Sequence, residues 1–148
     1  MPFHFPLQAI VHLRQSIEHQ QELRLRAANL AVSQMQHRIA EAELRQRELR
    51  EIQSRELGVG LTAAELRFEL RCEAELLRYK RELEPQLLRL QRARDQQRDV
   101  FQQARRGREM LESVRDHKLR EYKLEASRRE QRDLDDLFLL RRRYSLLG

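Results

Sequence analysis

The chain contains no tryptophan, one cysteine, three prolines and four glycines in 148 residues, and aromatics make up only 5% of it. Each scarcity excludes something. Cys72 has no second thiol to pair with, so no internal disulfide forms and a reducing compartment is expected. So few rings and turn formers, beside 36% charged residues, argue against a compact domain and for long helices in which surface outweighs core. Long apolar runs are missing too. The longest is Leu137–Leu140, far below the roughly 20 residues of a membrane span. The opening Met1–Pro6 has neither a basic start nor an apolar stretch, so no secretion signal is expected. Together these features predict a cytoplasmic protein that meets a membrane only through partners.

Catalytic motifs are equally scarce. Gly58 and Gly60 lack the following Lys-Ser or Lys-Thr of a phosphate loop. The five histidines, His4, His12, His19, His37 and His117, never fall at the i, i+4 spacing of a helical zinc site. No spacing marks a buried carboxylate pair with a displaced pKa, so acid–base catalysis has no basis. No enzymatic activity, cofactor or metal is expected. Thirty basic residues are interleaved with 24 acidic ones for a net charge of +6, the pattern of a solvated helix face laced with salt bridges. A nucleic-acid binder would want a contiguous basic stripe and stacking aromatics, and neither is legible.

What the chain does have is a seam. Leu76, Tyr79, Leu83, Gln86, Leu90, Ala93, Gln97, Val100, Ala104, Gly107, Leu111 and Val114 recur at alternating steps of three and four. Those steps average 3.5 residues, the repeat of a helix supercoiled against another. A similar line runs through Leu25, Ala28, Val32, Met35, Ile39, Ala42 and Leu49. Ile10, Leu13 and Ile17 open it, and steps of four through Gln21 join the two parts. Gln46 and Gln53 interrupt the seam, which predicts a looser region near the turn.

Between the two lines lies Gly58-Val59-Gly60, followed by Thr62-Ala63-Ala64-Glu65. Glycine supplies the positive φ beyond a helix end, and Thr with Glu three residues on forms a capping box. A short connection between a strong stop and a strong start forces antiparallel neighbours. The fold class is therefore all-α: a long antiparallel two-helix coiled coil, a helical hairpin, read as one coiled-coil domain over 1–148. Helix 1 is expected over about 7–57, the turn over 58–61 and helix 2 over about 62–142. At 1.5 Å per residue the arms span about 75 and about 120 Å, so the second overhangs or folds back. Pro85 is the expected place for a kink, or for a break that would leave a short middle helix.

Other residues lie off the seam. Phe3 and Phe5 flank His4 ahead of Pro6, and either clamp the adjacent helix end or meet a partner. Leu134, Leu137 and Phe138 share a helical face able to cover that end. Leu66, Phe68 and Leu70 follow the turn, and Phe68 and Cys72, four apart, share a second face that serves either packing or docking. Arg141-Arg142-Arg143 either complements a helix C-terminus or anchors an acidic surface.

The two ends together carry a resemblance. The opening Phe3-His4-Phe5-Pro6-Leu7-Gln8-Ala9-Ile10-Val11-His12-Leu13-Arg14 resembles that of the flagellar export protein FliJ family. Gly60-Leu61-Thr62 resembles the family's central break. Tyr122, Glu125, Arg128, Glu130-Gln131-Arg132 and Leu134-Asp135-Asp136-Leu137 resemble its charged C-terminal pattern. Pro85 and a preference for Arg over Lys depart from it. The resemblance implies a non-enzymatic stalk, similar to the shaft of rotary ATP synthases. Such a stalk binds the hexameric flagellar export ATPase, promotes its assembly and activity, and links it to a membrane export-gate protein and to export chaperones. It also implies a location in the cytoplasm, peripheral to the cytoplasmic face of the inner membrane. Carried onto this chain, it makes Phe5, Leu7, Arg14, Leu134, Asp136, Leu137 and Arg141 the ATPase end, and Leu66, Phe68, Cys72 and Tyr79 the export-gate end. The competing readings are a generic coiled-coil scaffold that self-associates through its seam and, further off, a basic nucleic-acid-binding helix protein.

Overall fold

A computed structural model describes residues 2–147. Among them the fold is two long helices packed against each other, α1 (Gln8–Val59) and α2 (Ala63–Leu147), with no strand. The stop and start signals act as their chemistry demands. Gly60 adopts φ 101°, and its N–H donates to the Glu56 carbonyl at 2.9 Å, closing the end of α1. The Glu65 N–H donates to Thr62 Oγ1 at 3.2 Å and the Thr62 N–H to Glu65 Oε2 at 3.4 Å, so the capping box is complete. A Cβ on Gly60 would meet nothing within 4 Å, so only the backbone conformation resists substitution. Gly60→Ala is expected to cost about 1–2 kcal/mol in thermal unfolding, the cost of a left-handed residue with a side chain.

α2 is continuous through Pro85, and no short middle helix forms. Pro85 and Arg81 are both exposed, so the carbonyl that Pro85 leaves without its i+4 donor lies on the solvent side. α2 also continues to Leu147, beyond the expected end near residue 142.

The chain divides into two compact units, His19–Gln102 and a second that joins the first 18 residues to Gln103–Gly148. In the unit His19–Gln102, α1 buries Val32, Met35 and Ala42, with Gln46, Leu49, Gln53 and Glu56 continuing the same 3-4 spacing half-buried toward the turn. Facing them on α2 are Leu76, Lys80, Leu83, Leu87, Leu90, Arg94 and Gln97. The helices are antiparallel: Arg50 meets Glu73 at 3.9 Å, Lys80 meets Glu43 at 3.1 Å, and Gln97 donates to Gln21 Oε1 at 2.7 Å.

These positions correct half of the expected seam. Leu76, Leu83, Leu90 and Gln97 do face inward, but their alternates lie one residue later. Tyr79, Gln86, Ala93 and Val100 are exposed, while Lys80, Leu87, Arg94 and Phe101 are partly covered. Lys and Arg read as polar in a periodicity, yet their long aliphatic stems can line a seam while the charged end of Lys80 reaches Glu43 across it and that of Arg94 turns to Asp95 on its own helix.

In the other unit, the lead and first turns of α1 lie against α2. Val11 is fully buried, whereas Ile10 and Leu13, expected to open the seam, are exposed. Phe5 is 4% exposed, with Lys118 Nζ 5.9 Å from its ring centroid. The Phe3 and Tyr122 rings lie 5.6 Å apart at 53°. The Gln8 N–H donates to the Phe5 carbonyl at 3.1 Å and the Val11 N–H to that of Leu7 at 3.0 Å, fastening the lead to the helix start. The aromatic lead is thus a clamp. Leu134, Leu137 and Phe138 do not cover it, and α2 is exposed from residue 127 to residue 147.

Candidate functional site

Two surfaces carry the residues singled out by sequence. The first belongs to the unit of the chain ends. Arg14 is exposed on α1 and lies along Gly107, its Nη1 3.5 Å from where a glycine Cβ would stand. One helical turn on, the Arg108 guanidinium bonds Glu18 through Nε, and its Nη1 donates to Glu112 Oε2 at 2.7 Å. Gln15 Nε2 donates to Glu112 Oε1 at 3.2 Å. The Glu18 hydrogen bond, with the nearby negative charges of Glu18 and Glu112, raises the Arg108 pKa against the opposing effect of burial. Arg108 therefore stays charged at any working pH and ties α1 to α2 through Glu18.

The clamp encloses Phe5 and half-buries Leu7. Leu134, Asp136, Leu137 and Arg141 lie on the unpacked stretch of α2, where Leu134 is 61% exposed. There the apolar residues fall on two sides of the helix. Leu134, Leu137, Phe138 and Tyr144 occupy one side. Leu139, Leu140 and Leu146 line a shallow concavity with Asp136, Arg142 and Arg143 on the other. A helix apolar on two sides and uncovered by its own chain has the character of a contact element.

The second surface is the turn end of the unit His19–Gln102. Leu49, Ile52, Glu56, Ala64, Glu65, Phe68 and Glu69 line a shallow groove there. Phe68 is 66% exposed, Leu66 and Tyr79 are exposed, and Cys72 is half-buried. Of the four residues expected at this end, the groove takes in Phe68 alone.

Sequence reasoning missed the acidic pair in that groove. Glu69 is 9% exposed, and its pKa is raised by a hydrogen bond with Glu56, by burial and by the charges of Glu56 and Glu65. The expectation that no pair of carboxylates shifts a pKa is therefore wrong. The signal was present: Glu69 stands seven residues before Leu76, and Glu56 seven after Leu49, both on seam positions. Among the described residues no three His, Cys, Asp or Glu side chains gather as a metal site, and no helix is long and apolar enough to cross a membrane.

A family model described as the flagellar FliJ protein matches residues 3–145, nearly the whole chain. No curated protein and no solved structure matches.

Proposed function

Since the chain belongs to the flagellar FliJ family, a component of the flagellar export apparatus, we propose that it is the non-enzymatic stalk of that apparatus. In this reading it binds the hexameric export ATPase, promotes ring assembly and activity, and connects the ring to the membrane export gate and to export chaperones. Its place is then the cytoplasmic face of the inner membrane.

The observation that carries the proposal is the family match across residues 3–145, and the unpacked end of α2 gives it a physical form. A ring of six subunits around one asymmetric helix cannot satisfy every subunit at once. Small mixed contacts suit such a place better than a large apolar interface, which would lock the partners. Leu134, Leu137 and Phe138 supply modest apolar contacts, and Asp136 and Arg141–Arg143 supply charge. The gate contact falls to Leu66, Phe68, Cys72 and Tyr79. A scaffold that self-associates through its seam is disfavoured, because Val32, Met35, Ala42 and Leu83 are already buried within one chain.

Reversing Arg141 and Arg142 to Glu tests the ATPase end. Both are exposed and form no salt bridge among the described residues, so helicity should be unchanged. Stimulation of the partner ATPase should fall about tenfold or more, as when two charged contacts of about 1 kcal/mol each are replaced by repulsion. Undiminished stimulation would place the contact elsewhere on the chain.

A further inference from the structure

Glu56 closes the inner line of α1 and Glu69 opens that of α2, on either side of the turn. Their Oε2 atoms are buried and have no hydrogen-bond partner among the described residues. Gln53 Nε2, one turn before Glu56 on α1, is also buried and unpaired among the described residues. Among the described residues no base forms an ion pair with either. Arg50, on α1, is directed at Glu73, 3.9 Å away. On α2, Glu65 is taken up by the capping box and contributes only further negative charge. Leu49, Ile52, Ala64 and Phe68 form the apolar remainder of the groove. Two ionised carboxylates pressed together under such cover repel each other and lose hydration, and one proton held between them removes both costs.

We propose that Glu56 and Glu69 share a single proton, and that this proton latches the turn ends of α1 and α2: bound, it keeps them closed, and its loss drives them apart. The direction follows from linkage. Contact with Glu56 holds the Glu69 carboxyl above its ordinary value of 4.5. A group that binds its proton more tightly when folded stabilises the fold fully below the ordinary value, and that contribution is lost as pH rises through the raised one. The turn end is therefore tightest in acid and loosens above the Glu69 pKa. Release also leaves Glu56, Glu65 and Glu69 as three like charges around Phe68.

The latch does not depend on the stalk reading and is measured on the isolated full-length chain. In a Cys72→Ser background, spin labels at the exposed positions Arg47 and Glu75 report the separation of the helices near the turn. The wild-type distance distribution should broaden as pH is raised from about 4 to about 8. Amide protection on either side of the turn should drop over the same range, because the stabilisation that the folded state gains by holding the proton is lost as pH rises. Glu69→Gln puts a permanent donor beside Glu56, and the distribution should stay narrow at every pH. Carboxyl carbon NMR of the unsubstituted chain provides an independent reading. One member of the pair should titrate above the exposed glutamates. An unchanged pH response in Glu69→Gln, or Glu56 and Glu69 both titrating with the exposed glutamates, would overturn the latch.

Discussion

Phe5→Ala is expected to free the N-terminal lead from α2 and to cost about 3–5 kcal/mol of local stability, as for a buried phenylalanine truncated in place. Phe5 is 4% exposed, it receives Lys118 over its ring, and its carbonyl accepts the Gln8 N–H at the start of α1. Phe3 rests on Tyr122 just beside it, so the two rings should come loose together. Hydrogen exchange should speed up over residues 3–17 and leave the seam around Leu83 unchanged, because the two lie in different compact units. The same variant separates two roles for Phe5. If the ring acts by enclosing the helix start, Phe5→Leu restores most of the protection and the partner ATPase response with it. A variant with normal exchange and lost stimulation would instead make Phe5 a direct contact.

Leu83→Ala should lower the unfolding free energy by about 2–5 kcal/mol in denaturant titration followed by circular dichroism. Leu83 is 4% exposed and, apart from Glu69, is the only buried residue of α2 among those described. A seam one residue wide has no second layer to close over a lost side chain. Tyr79→Ala is the paired control. Tyr79 is 44% exposed and lies beside the seam, so its removal should cost no more than about 0.5 kcal/mol. Equal costs would show that the inner line follows the apolar spacing after all and not the positions occupied by Lys80 and Arg94.

That comparison also marks where the sequence is legible. The turn is readable to the residue, because a positive φ, a hydroxyl acceptor and a carboxylate three residues on each have one good solution. The leucines at 76, 83 and 90 are readable because their spacing is seven. The alternate positions are not, since most are held by Lys80, Arg94, Arg108 and Arg115 while apolar Tyr79 and Val100 sit one residue to the side. Val11 is hidden for the same reason. Counting back by sevens from Val32 through Leu25 passes through Glu18, which a hydropathy pattern discards and which Arg108 in fact neutralises. Of the candidate site, the exposed end of α2 was visible as residues, but its lack of any cover was not. The carboxyl pair went unseen because burial of an acid depends on what the facing helix brings.

The basic residues on the inner line also determine which helix α2 can accept. Two copies of α2 laid side by side would bring Lys80, Arg94, Arg108 and Arg115 of each into one interface, and the acids that meet three of them, Asp95, Glu112 and Asp116, lie on the same helix and bring no partner from across it. α1 instead brings Glu43 to Lys80 and Glu18 to Arg108. Pairing with a sister strand is thus penalised by charge and pairing with its own first half is rewarded. In a crowded cell this favours a chain that folds on itself over one that zips to its neighbours.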